Sequence, residues 1–377
     1  MEKRTASVII IGGGIMACAA AYSLAMRGMK DILVLERKEI GNGGSCRNAG
    51  GVRQSARDAR ELPLAMYAVN HIWPTLSEEL GIDVEYVQKG NLRLGQTPAH
   101  EAVLTALTEN SAKYGLDVKM ISGYEARSIC PYMSEAVTSA SWCPTDGHAN
   151  PLRATLGYYR KDLELGVTFV TGVTVTGIRK VRGNARLVLT DDGIYEGEHI
   201  VVCAGWDSRA ILNTVCIDIP MRRNSTEVLV TEMEPRMFPV MLGTAESDFY
   251  GNQTDHGSFV MGGGSGIEPW VAEKDRCLTT SITAPCICRG IMKYFPILKD
   301  CKIIRTWSGL FDLTMDGVPV ISNVEEVPGL TIAAGFCGHG FGIAPAVGIA
   351  ISELVLDGAS HTINIDSLRY DRFEAGA

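Results

Sequence analysis

The chain opens on a short apolar run, Ser7 to Ile11, that breaks at once into Gly12-Gly13-Gly14. From Ile15 to Arg27 the apolar residues follow helical spacing, and Gly28 stops the run. Asp31 to Glu36 (DILVLE) then reads as a second buried strand. This is a complete predicted β-α-β opening with an acid at the end of its second strand.

Further along, 57–139 is mixed and helix-rich, with turn signals at Gly81, Gly90 and Pro98. Leu152 to Leu165 carries apolar residues at helical spacing. Three strand-like runs follow, Val167–Val175, Ala185–Thr190 and His199–Cys203, separated by Arg182-Gly183-Asn184 and Asp191-Asp192-Gly193. Alternation from about Pro220 to Gly264 predicts an antiparallel sheet, and Ala272 to Phe295 predicts a helix. Leu330 to Ala334 is another buried strand, leading through a glycine loop to a last helix, Ala344 to Leu356. Nucleotide-type signals thus sit at the start, middle and end, with strand-rich material between. The expected fold class is α/β, with a discontinuous Rossmann-like domain (1–56, 140–219 and 300–377). An α+β substrate domain with an antiparallel sheet (57–139 and 220–299) is inserted into it twice.

Composition narrows the function classes. Among 377 residues, Lys plus Arg number 35 and Asp plus Glu 43, a net charge of −8 that argues against a nucleic-acid binder. Eleven cysteines, odd in number and without a Cys-x-x-Cys pair, read as thiols in a reducing cytoplasm. The cluster Cys277, Cys286, Cys288, Cys301 matches no common metal spacing, so no metal is expected. No secretory signal is read at the N-terminus. Pro328 to Ser352 lacks charge, but its six glycines and Pro345 make it a poor membrane span.

The 41 glycines fall where chemistry is expected. Gly12-Gly13-Gly14-Ile15-Met16-Ala17 fits G-x-G-x-x-G/A: Gly12 for the turn, Gly14 for approach to a pyrophosphate, Ala17 for helix–strand packing. Glu36, 19 residues past Ala17 and next to Arg37, suits ribose hydroxyls. The loop Gly41 to Arg53 holds five glycines and two arginines. Within it Gly44, Ser45, Cys46, Arg47, Asn48, Ala49 and Gly50 are expected along the cofactor, and Arg53 on a substrate carboxylate. Val201-Val-Cys-Ala-Gly-Trp206 ends a buried strand and offers Ala204, Gly205 and Trp206 at a sheet edge where nucleotides bind. The last two elements are Trp307 to Pro319 and the Gly335–Gly342 loop, whose glycines can lie against a planar ring at a helix N-terminus.

Together, in this order, these elements resemble the D-amino-acid oxidase-like family of FAD-dependent oxidoreductases, over essentially the whole chain. Cys46 to Gln54 and Gly338 to Gly348 look most like beta-type subunits of heteromeric sarcosine oxidase, opine oxidase, and proline or hydroxyproline dehydrogenase. The resemblance implies FAD, with an FAD-binding domain of the glutathione-reductase type, and oxidation of an amine or imino acid at the carbon bearing nitrogen. It also implies partner subunits that accept electrons. It places Val173 near the adenine, and Gly309, Gly338, His339, Gly340, Phe341, Gly342 and Ile343 by the flavin. Four departures stand out. Gly309 falls where monomeric sarcosine oxidase carries its flavin-linking cysteine, so FAD is expected to be non-covalent. Gly342 falls where sarcosine oxidases place a lysine, and Phe311 where glycine-oxidase-like members place an arginine. Pro151 falls where a histidine holds FMN. The carboxylate grip is therefore expected at Arg53 or at Arg222/Arg223.

The expected reaction is hydride transfer from an amino-acid Cα–H, with Arg53, Tyr250 and His339 as the candidate catalytic residues. Ordinary packing explains Tyr250 and His339 as readily. His148 reads as a turn residue. Three other readings stay open: an oxygen-using amino-acid oxidase acting alone, a nicotinamide dehydrogenase on the same fingerprint, and a flavin-holding subunit that needs its partner for turnover.

Overall fold

The computed structural model describes residues 4–265 and 279–376. Two eight-stranded sheets dominate it. In the first, the path runs Val320–Asn323, Leu330–Ala334, Gly193–Val202, Thr5–Ile11, Ile32–Glu36, Thr168–Thr171. The contacts from Leu330–Ala334 to Thr168–Thr171 are all parallel. Asn184–Thr190 pairs antiparallel with Gly193–Val202 on one side and with Val175–Val181 on the other.

The opening strands alternate between two cores, as a sheet covered on both faces requires. Val8, Ile10, Ile32 and Val34 enter one cluster, and Ile9, Ile11, Leu33 and Leu35 the other. On the first face, helix Ile15–Met26 packs against helix Gly340–Leu356. The helices approach so closely that a Cβ on Gly348 would stand 2.4 Å from the Ala19 carbonyl oxygen. The last helix begins four residues before the expected Ala344, so Gly340 and Gly342 are helical. The uncharged stretch around them is strand, loop and buried helix. No helix among the described residues is long and apolar enough to cross a membrane.

The second sheet runs Ile303–Thr314, Met221–Met233, Ser258–Gly263, Tyr250–Gln253, Met241–Thr244, Asn91–Gly95, Ser139–Cys143, Lys119–Ser122. It is mixed: Met241–Thr244 runs parallel to Asn91–Gly95, and every other pairing is antiparallel. Its outer face packs on Phe238, Phe249, Phe259, Tyr294 and Phe295, the last two from helix Thr283–Tyr294 and its end. The helix expected from Ala272 starts at Thr283, whose N–H donates to the Thr280 hydroxyl (3.1 Å); residues 272–278 lie outside the described residues.

Sheet membership shifts two expected boundaries. Ser139–Cys143 and Ile303–Thr314 pair in the second sheet, although residues from 140 and from 300 were expected in the nucleotide-binding part. Neither run is read as a strand from its own residues, and only their long-range partners reveal the sheet. Likewise the helical stretch 62–80 supplies Leu64, Ala65, Ala68, Val69 and Trp73 to the core beneath the first sheet. Trp73 anchors it there by donating its indole N–H to the Gly342 carbonyl (2.8 Å).

Candidate active site

A cavity of about 900 Å³ runs along the C-terminal edge of the first sheet and ends against the inner face of the second. One end is built by the opening β-α-β unit. Gly12 has φ +109°, and a Cβ there would lie 2.5 Å from the Cys203 carbonyl oxygen, so only glycine turns the chain between these strands. The Gly13 N–H donates to Glu36 Oε2 (2.6 Å) and the Lys38 N–H to Oε1 (2.8 Å), which aims the carboxylate across the turn. Val173, Ala204, Gly205 and Trp206 also line this end. The Arg223 guanidinium stacks 3.0 Å from the Trp206 ring centre, and Arg37 forms an ion pair with Asp207 (2.9 Å).

The middle is a cradle of backbone. The Ser45 hydroxyl accepts the Ile15 N–H (2.9 Å) at the start of the first helix. A Cβ on Gly14 would meet that hydroxyl at 2.8 Å, and one on Gly44 the Leu310 carbonyl oxygen at 3.0 Å. Arg47 lines the cavity yet spends its guanidinium on Asn42 and the Ser308 carbonyl (2.9, 3.1 and 3.3 Å), so it braces the loop. The Trp307 indole N–H donates to the Arg47 carbonyl (3.0 Å), tying the loop to the second sheet.

The far end joins Arg53, Tyr250 and His339 with Gly309, Gly338, Gly340 and Phe341. Burial raises the Tyr250 phenol above its ordinary value, against the opposing pull of Thr226 and Arg53, and keeps it a donor. Burial lowers His339 against the pull of Glu61, which lies 3.4 Å from its Nδ1. Burial also lowers Arg53, and the nearby Arg57 adds to this.

Six expected cofactor residues do not line the cavity. Ala17 and Ile343 are core side chains with no exposed surface. Cys46 turns toward the Pro151 carbonyl (3.9 Å), behind the loop. The Ala49 carbonyl accepts from Asn252 Nδ2 (3.0 Å), again joining loop to second sheet. Gly50, at φ +79°, packs so closely that a Cβ would be 2.2 Å from the Ala149 carbonyl oxygen. Gly342 packs against Gly51 and Val52 in the same manner, with 3.2 Å to a built Cβ. Of the alternative carboxylate grips, Arg222 is exposed and Arg223 stacks on Trp206 at the nucleotide end. His148 pairs with Gly51 in a short two-stranded ladder and is buried, not in a turn.

Four cavity-end residues escaped the sequence reading. Thr226 and Asp312 line the wall; Asp312 Oδ2 accepts the Gly335 N–H (2.6 Å), and burial raises its carboxyl. Glu61 lies behind His339. Arg93 lines the cavity from strand Asn91–Gly95, where a lone arginine in an alternating run looks like a solvent-facing position. Among the described residues no group of three or more His, Cys, Asp or Glu side chains is placed to hold a metal, and Cys277 of the expected cysteine cluster lies outside them.

The arrangement fits FAD. The cavity lies at the upper end of the roughly 300–1,000 Å³ usual for ligand sites, and Gly12, Gly13, Gly14, Gly43 and Gly44 line it where a pyrophosphate would need close approach to backbone. A nicotinamide dinucleotide would use the same first turn.

Comparison with known proteins decides between these cofactors. The chain is 25% identical over 381 residues to sarcosine oxidase subunit beta of Arthrobacter sp, covering 99% of this chain and 92% of that one. It is 26% identical over 377 residues to the Rhizobium meliloti subunit of the same name, covering 98% and 88%. The solved L-proline dehydrogenase from P. horikoshii superposes with a TM-score of 0.91 at 29% identity, covering 100% of this chain and 99% of that chain. The FAD dependent oxidoreductase (DAO) family profile matches residues 7–354; the chain belongs to that family, and FAD is its cofactor.

Proposed function

We infer that this protein oxidises an amino or imino acid at the carbon next to nitrogen and releases the imine. The observation that carries this reading is the meeting of Arg53 and Tyr250 with the Gly338–Phe341 turn at one end of the FAD cavity. When bound, FAD supplies the two-electron acceptor for the departing hydride.

The chain's own residues supply alignment and electrostatics. Arg53 grips the substrate carboxylate through its guanidinium fork. Tyr250, held as a phenol, donates a hydrogen bond to the same substrate. His339 stays neutral at neutral pH and so adds no positive charge where the amine must lose its proton. The 17-residue helix Gly340–Leu356 starts at the cavity and directs its positive end there, favouring negative charge beside it. The mixed wall of Phe341, Phe336 and backbone excludes water from the reacting carbon.

FAD is held without a covalent link. Gly309 offers no nucleophile, and the Cys337 thiol, pushed up to about 11 by burial, bonds to Thr314 and the Gly335 carbonyl (3.3 and 3.0 Å). Electrons leave through a partner subunit, a reading supported by likeness to proteins named as beta subunits. The protein works in the reducing cytoplasm, consistent with ten free thiols among the described cysteines.

The test is anaerobic titration of the yellow protein with amino acids of both hands, N-methyl amino acids and prolines. Bleaching of the flavin band by at least one class is expected; no bleaching by any would end this reading. Acid precipitation is expected to leave all flavin in the supernatant. Turnover with an artificial acceptor exceeding turnover with oxygen supports electron export.

A further inference from the structure

The substrate end of the cavity carries two arginines, and the oxidation of a simple amino acid uses one. Arg53 arrives on the loop that follows strand Gly51–Val52, and its Nη1 donates to the Ser55 carbonyl (3.3 Å). Arg93 arrives from the second sheet. Its neighbours across the strands are Gly243, then Tyr250, then Gly262, so all four positions share one face of the sheet.

The two glycines clear this face. A Cβ on Gly262 would lie 2.5 Å from the Tyr250 ring. A Cβ on Gly243 would stand between Arg93 Nε and Tyr250 Cβ, 3.9 and 4.0 Å from them. The sheet therefore presents a cation, a gap and a phenol in a row, facing the loop that carries Arg53.

Arg93 is half-buried. Its Nε is buried and, among the described residues, has no hydrogen-bond partner. Burial pushes it down to about 10, and Arg53 pushes it the same way, while Asp146 pulls in the opposite sense. Asp146 is already engaged by the Gln54 and Ser55 N–H groups (2.6 and 3.3 Å) and by the Ser55 hydroxyl (2.5 Å). A half-buried cation whose Nε is buried and unspent is costly unless a ligand brings the opposite charge.

We propose that the substrate is an amino or imino acid with a second carboxylate, on its side chain or on its nitrogen, and that Arg93 binds this second group while Arg53 binds the first. The proposal rests on the amino-acid oxidation reading above and narrows its substrate class. Tyr250, one glycine away from Arg93 along the same sheet face, then lies within reach of the carbon chain joining the carboxylates.

Two non-oxidisable acids test it by calorimetry on the FAD-loaded protein: glutarate, with two carboxylates, and butyrate, with one. Glutarate is expected to bind at least about tenfold more tightly. Arg93→Gln is expected to erase that preference, Arg93→Lys to restore part of it, and Arg53→Gln to weaken both acids. Equal binding of glutarate and butyrate by the wild-type protein would overturn the proposal. So would equal weakening of both acids by Arg93→Gln, which would make the arginines one clamp on one carboxylate. If Arg93→Gln does not retain flavin, the wild-type ratio and the lysine variant decide. Bleaching by monocarboxylic amino acids with no glutarate preference would leave the oxidation reading standing and end this one. A clear glutarate preference without bleaching by any amino acid would end the oxidation reading, and with it the amino-acid substrate, and leave only the two-carboxylate site at Arg53 and Arg93.

Discussion

His339 Nδ1 lies 3.4 Å from Oε1 of Glu61, a carboxylate with no exposed surface whose other oxygen accepts a hydrogen bond from Arg57 (2.8 Å). Arg57 in turn donates from Nε to the Arg53 carbonyl (2.7 Å) and from Nη2 to the His339 carbonyl (3.1 Å). One buried acid therefore fixes both segments that bring candidate groups to the cavity. Burial pushes the Glu61 carboxyl up, but His339 and Arg57 outweigh it and hold it below its ordinary value.

Glu61→Gln removes the charge and leaves the buried Arg57 uncompensated. A loss of about 3–5 kcal/mol in unfolding free energy is expected, read by denaturant titration of the flavin-loaded protein. A loss below about 1 kcal/mol would show that the carboxylate is not holding this pair.

Acid should weaken the fold through His148. Burial lowers this histidine to about 4, against about 6.5 in an unfolded chain. A folded value below the unfolded one means that the unfolded chain binds more protons between the two. Its contribution is thus complete above pH 6.5 and is lost as pH falls toward 4, by about 3 kcal/mol. Replacing His148 with Gln should flatten that part of the stability profile between pH 7 and 4; an unchanged slope would rule the histidine out as its source.

Asp162 works in the opposite direction. It sits on helix Pro151–Glu164 with both carboxyl oxygens buried and, among the described residues, unpartnered. Burial raises it to about 9. The folded chain then holds a proton that the unfolded chain releases near pH 4, so stability falls as pH rises through this window. Asp162→Asn should therefore gain on the wild-type protein by about 4 kcal/mol between pH 5 and pH 8. Parallel melting curves at the two pH values would refute this.

Flavin retention reports on the first turn. Glu36→Gln weakens the charge-assisted bond to the Gly13 N–H and the grip on ribose, an expected loss of about 1.5–3 kcal/mol or roughly 10- to 100-fold in FAD affinity. Gly12→Ala forces a methyl against the Cys203 carbonyl at a positive φ, and the protein should purify largely without flavin. Absorbance at the flavin band relative to protein measures both.

Much of the nucleotide end was legible in the chain because its determinants are contiguous. A strand, a glycine turn, a helix and an acid follow one another within residues 7–36, and local sterics alone orient them. The loop after Glu36 was only half legible. Glycine content showed that backbone must pass close to something, but not to what: Ser45 and Gly44 face the cavity, whereas Gly50 clears Ala149 and Gly342 clears Gly51. Cys46, between cavity-lining Ser45 and Arg47, and Ala49, next to cavity-lining Asn48, point to the scaffold for the same reason.

The sequence by itself determined the β-α-β opening, the glycine runs that admit a long cofactor, and the last helix that meets it, because each is a property of neighbouring residues. Only the tertiary structure decided which charges face the substrate. Arg53 and Arg93 lie 40 residues apart, and Arg93 reaches the cavity because strand Asn91–Gly95 pairs in parallel with Met241–Thr244, 150 residues further on. A strand's alternation states that a side chain faces one side or the other; pairing with distant strands decides whether that side is water or an enclosed site.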